Sequence, residues 1–353
     1  MIREQENYKQ EFSRLLNTDL PIIEKIDHGR NSRVYRLHSI DKRSYIGKVY
    51  YYDANDQRDR LGTEFEALGF MWAKGMRNIP QPLIADRGGG LAIYEYVDGQ
   101  AIDHESINKT DIDQAVVFLD SLRKLSSEPD AMQFRPASEA CFTFSDIIKS
   151  IHRRLDILAS IPRNGTHVPD LFYFLDEHFS PLFNQVKAWA YKYLENEKID
   201  LDYELPHIER TLSPSDFGFH NAIRRRNGNI VFIDFEYFGW DDPAKMIVDF
   251  ILHPGMRLLE SQKLYFKGKA VDLFQQSKYL LCRLQVAHSL FGLKWCLILL
   301  NEFTPRALAR RDFASLSGDD SASERLRKGQ LRKAMAMLNK VKMNHSESYA
   351  GCN

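Results

Sequence analysis

The stretch that most constrains this 353-residue chain is SDFGFHNAIRRRNGNIVFIDFE, residues 215–236, where a tight-turn dipeptide sits between two short strand-like runs. Asn227-Gly228 predicts a two-residue type I′ hairpin, because both central positions of that turn need positive φ, which Asn and Gly tolerate. AIRRR before it and NIVFI after it read as the paired strands. With Arg226 and Asn229 flanking the turn, the register places Asn221 opposite Asp234, their Cβ atoms about 4.5–5.5 Å apart. Two oxygen-bearing side chains at that separation can grip one hard cation, and Mg²⁺ takes one or two such oxygens together with substrate phosphates.

Asp216 stands five residues before Asn221, the spacing of the catalytic loop in kinases. There the Asp accepts the proton of the attacking hydroxyl, while the Asn and a later Asp hold the magnesium that bridges nucleotide phosphates. Taken singly, each residue has an ordinary explanation: a loop or capping Asp, a turn-forming Asn, and a strand-end carboxylate satisfied by backbone N–H groups. The hairpin, the spacing and the following I-D-F-E together favour phosphoryl-transfer chemistry.

A chain this long buries about three quarters of its unfolded surface and divides into two lobes or domains. Lys+Arg and Asp+Glu both number 48, so no global charge argues for nucleic acid or for an anionic membrane as a partner. The charged start, MIREQENYKQEF, lacks the apolar segment of a secretion signal, which points to a cytoplasmic location. The most apolar run, residues 281–300, contains Arg283, Gln285, His288 and Lys294 and reads as a buried helix rather than a membrane span. Cys141, Cys282, Cys296 and Cys352 form no C-x-x-C pair, so neither a zinc site nor a redox motif is indicated.

Residues 22–52 read as three strands, with Lys48 inside the third among Gly47, Val49 and Tyr50. A lysine in a central strand needs a partner for its ammonium, and kinases pair this lysine with nucleotide phosphates and a helix glutamate. An edge-strand lysine facing water is the plain alternative. DRLGTEFEALGFMWAKG then has a helical pattern in Leu61, Phe65, Leu68 and Trp72, with Glu64 and Glu66 as candidate partners. Two further strands follow, turned by Gly88-Gly89-Gly90, and Glu95–Gly99 reads as a connector whose backbone could meet an adenine.

Several motifs together resemble the aminoglycoside phosphotransferase and choline kinase superfamily: G-R-N-S-R-V-Y at 29–35, Lys48, Arg60 with Glu64 and Leu68, Y-E-Y-V-D-G at 94–99, S-D-F-G-F-H-N at 215–221 and I-D-F-E-Y at 233–237. The resemblance spans about residue 22 to the helical region near 303. It implies an α+β, two-lobed, protein-kinase-like fold with a small antiparallel-sheet N-lobe, residues 1–97. Residues 98–353 would form a larger, mainly helical catalytic and acceptor-binding lobe. It further implies Asp216 as catalytic base, Asn221 and Asp234 as Mg²⁺ ligands, and Lys48 on the phosphates of ATP with Glu64 orienting it. Gly29, Asn31, Ser32, Glu95 and Tyr96 would complete the nucleotide site, and Glu236 would assist metal or substrate. Two departures stand out: Pro214 occupies the place of a family histidine, with His220 nearby, and Met246 replaces an expected acid, with Asp249 three positions late.

The expected reaction is transfer of the γ-phosphoryl group of ATP to a hydroxyl of a small molecule, whether amino alcohol, sugar or aminoglycoside-like, without nucleic acid or membrane insertion. A nucleotide-binding scaffold without turnover and a protein kinase are the alternatives. Tyr237, Phe238 and Trp240 beside Glu236, Asp241 and Asp242 would suit a cationic amine; an aromatic core segment explains them as well. SERLRKGQLRKAMAMLNKVK predicts a basic amphipathic helix with Leu331, Met335, Leu338 and Val341 on one stripe.

Overall fold

Period-two patterning over the first hundred residues resolves into an antiparallel sheet of β1 (Ile22–Ile26), β2 (Ser32–His38), β3 (Ser44–Tyr50), β4 (Pro82–Asp86) and β5 (Leu91–Glu95). Its order is β1-β2-β3-β5-β4, so β3 is the central strand. This computed structural model describes residues 2–26, 32–52, 58–163, 167–305 and 320–350. Gly29 and Asn31, two of the expected nucleotide-site residues, lie outside the described residues.

An N-terminal helix, α1 (Ile2–Leu16), which the sequence reading did not anticipate, packs Phe12 into an apolar cluster with Tyr35, Leu37, Val49 and Ile93. Gly47 permits this contact: a Cβ there would lie 2.6 Å from Phe12 Cζ. Helix α2 (Arg60–Ala73) is capped by Asp59, whose Oδ1 accepts from Gly62 N at 2.8 Å. Arg60, Glu64 and Leu68 recur every fourth residue and are all buried.

A second, three-stranded sheet joins β6 (Gln100–Ala101), β8 (Ala222–Arg224) and β9 (Ile230–Phe232) in the order β6-β8-β9. Helix α3 (Lys109–Leu125) begins with a capping box of Asn108 and Asp111 and pins the β8–β9 hairpin. Asp111 accepts from Arg224 Nη2 at 2.7 Å, and Gln114 accepts from Ile230 N at 2.8 Å.

The hairpin itself corrects the expected register. Ala222 pairs with Phe232 and Arg224 with Ile230, and the Arg225–Asn229 pair closes a three-residue loop. Gly228 has φ +85 and Asn227 does not have positive φ, so this is a type I turn ending in a left-handed glycine rather than a type I′ turn. Asn221 is consequently bonded to Ile233, whose N donates to Asn221 O at 2.9 Å, and is not opposite Asp234.

Chain contacts divide the protein into two compact units, Met1–Glu139 with Leu212–Trp240, and Ala140–Thr211 with Asp241–Leu308 and Asp319–Asn353. β7 (Thr211–Ser213) leads into the 214–221 loop, and β10 (Gly239–Asp241) follows the I-D-F-E-Y segment. The second unit is helical: α4 (Phe144–Ala159), α5 (Val168–Tyr173), α6 (Ser180–Asn196), α7 (Pro243–Leu252), α8 (Glu260–Leu273), α9 (Leu280–Leu299) and α10 (Asp320–Ala350). α4, α6, α7 and α10 all pack against α9. The Leu280–Phe303 segment is long and apolar enough to cross a membrane by length and composition, yet two thirds of it is buried within the protein, as a core helix requires. α10 buries Ala334, Met337, Leu338, Val341 and His345; Leu331 and Met335, expected on the stripe, sit half-buried at its edge.

Candidate active site

Lys48 points from β3 to Glu64 on α2 and to Asp234 just beyond β9. Its Nζ lies 2.8 Å and 3.0 Å from the two Glu64 oxygens and 3.1 Å from Asp234 Oδ1. The Lys48 and Glu64 side chains are 12% and 3% exposed, whereas Asp234 is 38% exposed. Of the two candidate glutamates, Glu64 is the partner; Glu66 faces Arg87. Burial alone would depress the Lys48 ammonium, but Asp234 and Glu64 outweigh it and hold the pKa well above the ordinary value.

Asp234 has φ +69, a left-handed conformation that costs a non-glycine residue free energy and is commonly retained where function needs it. The following amide, Phe235 N, donates to Glu64 Oε1 at 3.3 Å. Glu236 is 4% exposed, and burial with the Asp234 charge pushes it up to about 7.

The loop carrying Asp216 is anchored by its aromatic residues. Phe217 stacks on Phe118 of α3 with centroids 5.4 Å apart, and Phe118 also meets Phe232 at 4.5 Å and Phe235 at 6.2 Å. Ser215 has φ +67, and Asp216 N donates to Pro214 O at 2.8 Å, which makes a positive-φ γ-turn centred on Ser215, directly after Pro214. His220 supplies support from the other side: its Nε2 lies 3.0 Å from Asp216 Oδ1. Asn221 Nδ2 donates to Asp216 O at 3.0 Å and to Oδ2 at 3.3 Å, leaving its carboxamide oxygen as the other polar atom of that side chain.

These donors suit a hard divalent cation. A carboxylate on Asp234 and a carboxamide oxygen on Asn221 are the ligand types Mg²⁺ takes. Glu64 and Asp234 share the Lys48 ammonium, and Glu236 lies close enough to feel the Asp234 charge.

The remaining expected residues fall in different places. Ser32 opens β2 opposite Tyr50 and is buried. The Glu95 carboxylate is taken up by protein partners, Arg225 Nη2 at 3.0 Å and Gln81 N at 3.1 Å, and its own amide donates to Gln81 O at 2.9 Å. Tyr96 carries the Arg36 guanidinium over its ring at 4.1 Å. Beyond Tyr237, the aromatic and acidic run after Glu236 is core. Phe238 and Trp240 are each 4% exposed, Trp240 Nε1 donates to Ala131 O, Asp241 bonds Lys245, and Asp242 bonds Arg283. Tyr237 is half-buried and carries the Arg58 guanidinium over its ring at 5.7 Å. Asp249 is likewise occupied, by Lys245 at 3.1 Å and Trp295 Nε1 at 2.9 Å, and Met246 is buried.

Sequence reasoning missed Tyr50 and Tyr94. Tyr50 Oη lies 2.6 Å from Glu64 Oε2 and 2.7 Å from Tyr94 Oη. The signal was the two-residue step from Lys48 to Tyr50, which puts both side chains on one face of β3.

Residues 22–253 match the profile of the phosphotransferase enzyme family, and the chain belongs to that family. No match was found among curated proteins. Solved structures share its fold at low identity. Choline kinase LicA from Streptococcus pneumoniae is 16% identical with a TM-score of 0.60, over 96% of this chain and 99% of that one. Spectinomycin phosphotransferase APH(9)-Ia, solved with ADP and spectinomycin, is 12% identical with a TM-score of 0.58, over 94% and 98%. Plasmodium vivax ethanolamine kinase is 16% identical with a TM-score of 0.54, over 91% and 83%. The fold is the α+β kinase-like one, with a small antiparallel sheet and a mainly helical remainder.

Proposed function

We propose that this phosphotransferase moves the γ-phosphoryl group of Mg-ATP to a hydroxyl of a small molecule, in a cytoplasmic setting. The observation that carries the reading is the convergence of Lys48, Glu64 and Asp234 in the same unit as the Asp216–Asn221 loop. Residues 1–97 would bind the nucleotide; residues 98–353 would hold the catalytic loop and the acceptor.

Lys48 would hold nucleotide phosphate oxygens, its charge assured by Glu64. Asp216, its carboxylate fixed by His220 and Asn221, would accept the acceptor's hydroxyl proton, a contribution of about 10²–10⁴-fold. Asn221 and Asp234 would hold Mg²⁺, with Glu236 beside them. Held there, the cation would supply positive charge against the negative charge that develops in the transfer. Little covalent chemistry falls to the protein in such a transfer, so positioning and charge carry the rate.

The small-molecule acceptor is supported by the family and by relatives whose names include choline kinase, ethanolamine kinase and spectinomycin phosphotransferase. Amino alcohols, sugars and aminoglycosides are therefore the acceptor classes to try. Calorimetric titration with a non-hydrolysable ATP analogue tests the nucleotide site directly. Binding is expected to require Mg²⁺ for full affinity and to lose that dependence in Asp234→Asn; no binding at all would sink the reading.

A further inference from the structure

We propose that the outer face of α10 is an electrostatic docking surface for an anionic lipid bilayer. From Arg325 to Asn344 the helix carries seven Lys or Arg residues and no Asp or Glu, a local concentration of positive charge in a chain whose Lys+Arg and Asp+Glu both number 48 overall. The buried stripe of Ala334, Leu338 and Val341 fixes which side faces away from α9. At 100° per residue, Lys328, Arg332, Lys333 and Lys340 fall on the opposite side, and all four are exposed. Met343, 65% exposed, lies on the same line.

The Lys328-to-Met343 span is about 22 Å at 1.5 Å per residue, long enough to meet several headgroups at once. Each basic residue near an anionic leaflet strengthens partitioning about fivefold. Nucleic acid fits this face less well. A helix packed on α9 cannot enter a major groove, and from Arg325 to Asn344 the sequence has no aromatic residue to offer a stacking platform.

The test is co-sedimentation of the full chain with phosphatidylcholine vesicles containing either no or 30% phosphatidylglycerol. Partitioning is expected to rise at least 30-fold with the anionic lipid, to fall steeply at 0.5 M salt, and to vanish in a Lys328→Glu/Arg332→Glu/Lys333→Glu/Lys340→Glu variant with unchanged circular dichroism. Equal partitioning with both vesicle types, equal binding by that variant, or tighter binding to duplex DNA than to the vesicles would overturn it. Because the readout is partitioning alone, its failure leaves the phosphotransferase reading intact.

A separate observation assigns Tyr50 as a positioning residue for Lys48, an inference that rests on that reading. The Glu64 carboxylate can only accept, so Tyr50 donates its single proton to Oε2, and Tyr94 must then donate to Tyr50. Both phenols are buried and held well above their ordinary pKa, so both remain donors. The chain Tyr94–Tyr50–Glu64 fixes the plane of the carboxylate that grips the Lys48 ammonium. Tyr50→Phe is expected to raise the Kd and KM for ATP 5- to 20-fold while the acceptor KM changes less than twofold. Tyr94→Phe moves the same constants two- to fourfold. In a Glu64→Gln background, Tyr50→Phe adds less than twofold, because the group it acts through has changed. Equal effects in both backgrounds, or unaltered ATP affinity in Tyr50→Phe, would refute the assignment alone. A wild type that fails to bind ATP would take the reading down with it.

Discussion

Lys48 and Asp234, 186 positions apart in the chain, meet at 3.1 Å through Nζ and Oδ1, on the same ammonium that Glu64 holds at 2.8 Å. Two carboxylates share that ammonium, and the Asp234 charge also raises buried Glu236, so the arrangement favours ligand binding over the stability of the empty protein. Lys48→Met leaves Glu64 buried without its counter-charge and is expected to cost about 3–5 kcal/mol, together with ATP binding. Asp234→Asn removes one of the crowded, partly exposed carboxylates. It should leave the metal-free protein as stable as wild type or more so, while activity falls at least about 10²-fold. Urea midpoints in EDTA, measured beside activity, check that the two variants move stability differently.

His288 on α9 gives stability a pH dependence of defined sign. Burial, with Lys267 and Lys263 nearby, lowers its pKa from 6.5 to about 4. The unfolded chain therefore takes up a proton below about pH 6.5 that the folded protein refuses until about pH 4, and stability is lost as pH falls through that window. The shift corresponds to at most about 3 kcal/mol. Urea unfolding at pH 7.5 and 5 is expected to show a smaller decline in His288→Gln than in wild type.

Gly292 sets how closely α9 and α10 approach, since a Cβ there would lie 2.5 Å from Val341 Cγ2. Gly292→Ala is expected to destabilise by about 1–3 kcal/mol, the usual range for overpacking. Val341→Ala in the same chain should recover part of that loss, and thermal unfolding of the single and double variants measures the coupling.

The hairpin offers a test of its own. Gly228 carries the positive φ and Asn227 does not, so Gly228→Ala should destabilise by about 1 kcal/mol. Asn227→Ala loses only the contact from its Oδ1 to Asn229 N at 3.1 Å and should cost about half that or less. Equal losses would instead favour the two-residue turn. Chemical denaturation of the two variants decides between them.

What the sequence made legible was local or strongly patterned. Glu64 could be matched to Lys48 because Arg60, Glu64 and Leu68 fit the pattern of the family the chain resembles, and Asp216 and Asn221 because their spacing is characteristic of a catalytic loop. The hairpin register was not legible, since Asn-Gly is compatible with turns of two or three residues and the choice shifts every pairing by one. Tyr94 became part of the site only through the non-consecutive neighbours β3 and β5. Phe238 and Trp240 looked like part of a ligand surface because composition cannot show that Phe134 and Ala131 meet them from elsewhere in the chain.

The most direct measurement is transfer of label from γ-labelled ATP to a panel of amino alcohols, monosaccharides and aminoglycosides, by wild type and by Asp216→Asn. The account predicts a labelled small molecule from at least one acceptor class and a rate at least about 10²-fold lower in the variant. Label appearing on protein rather than on any small molecule, or transfer unaffected by Asp216→Asn, would contradict it.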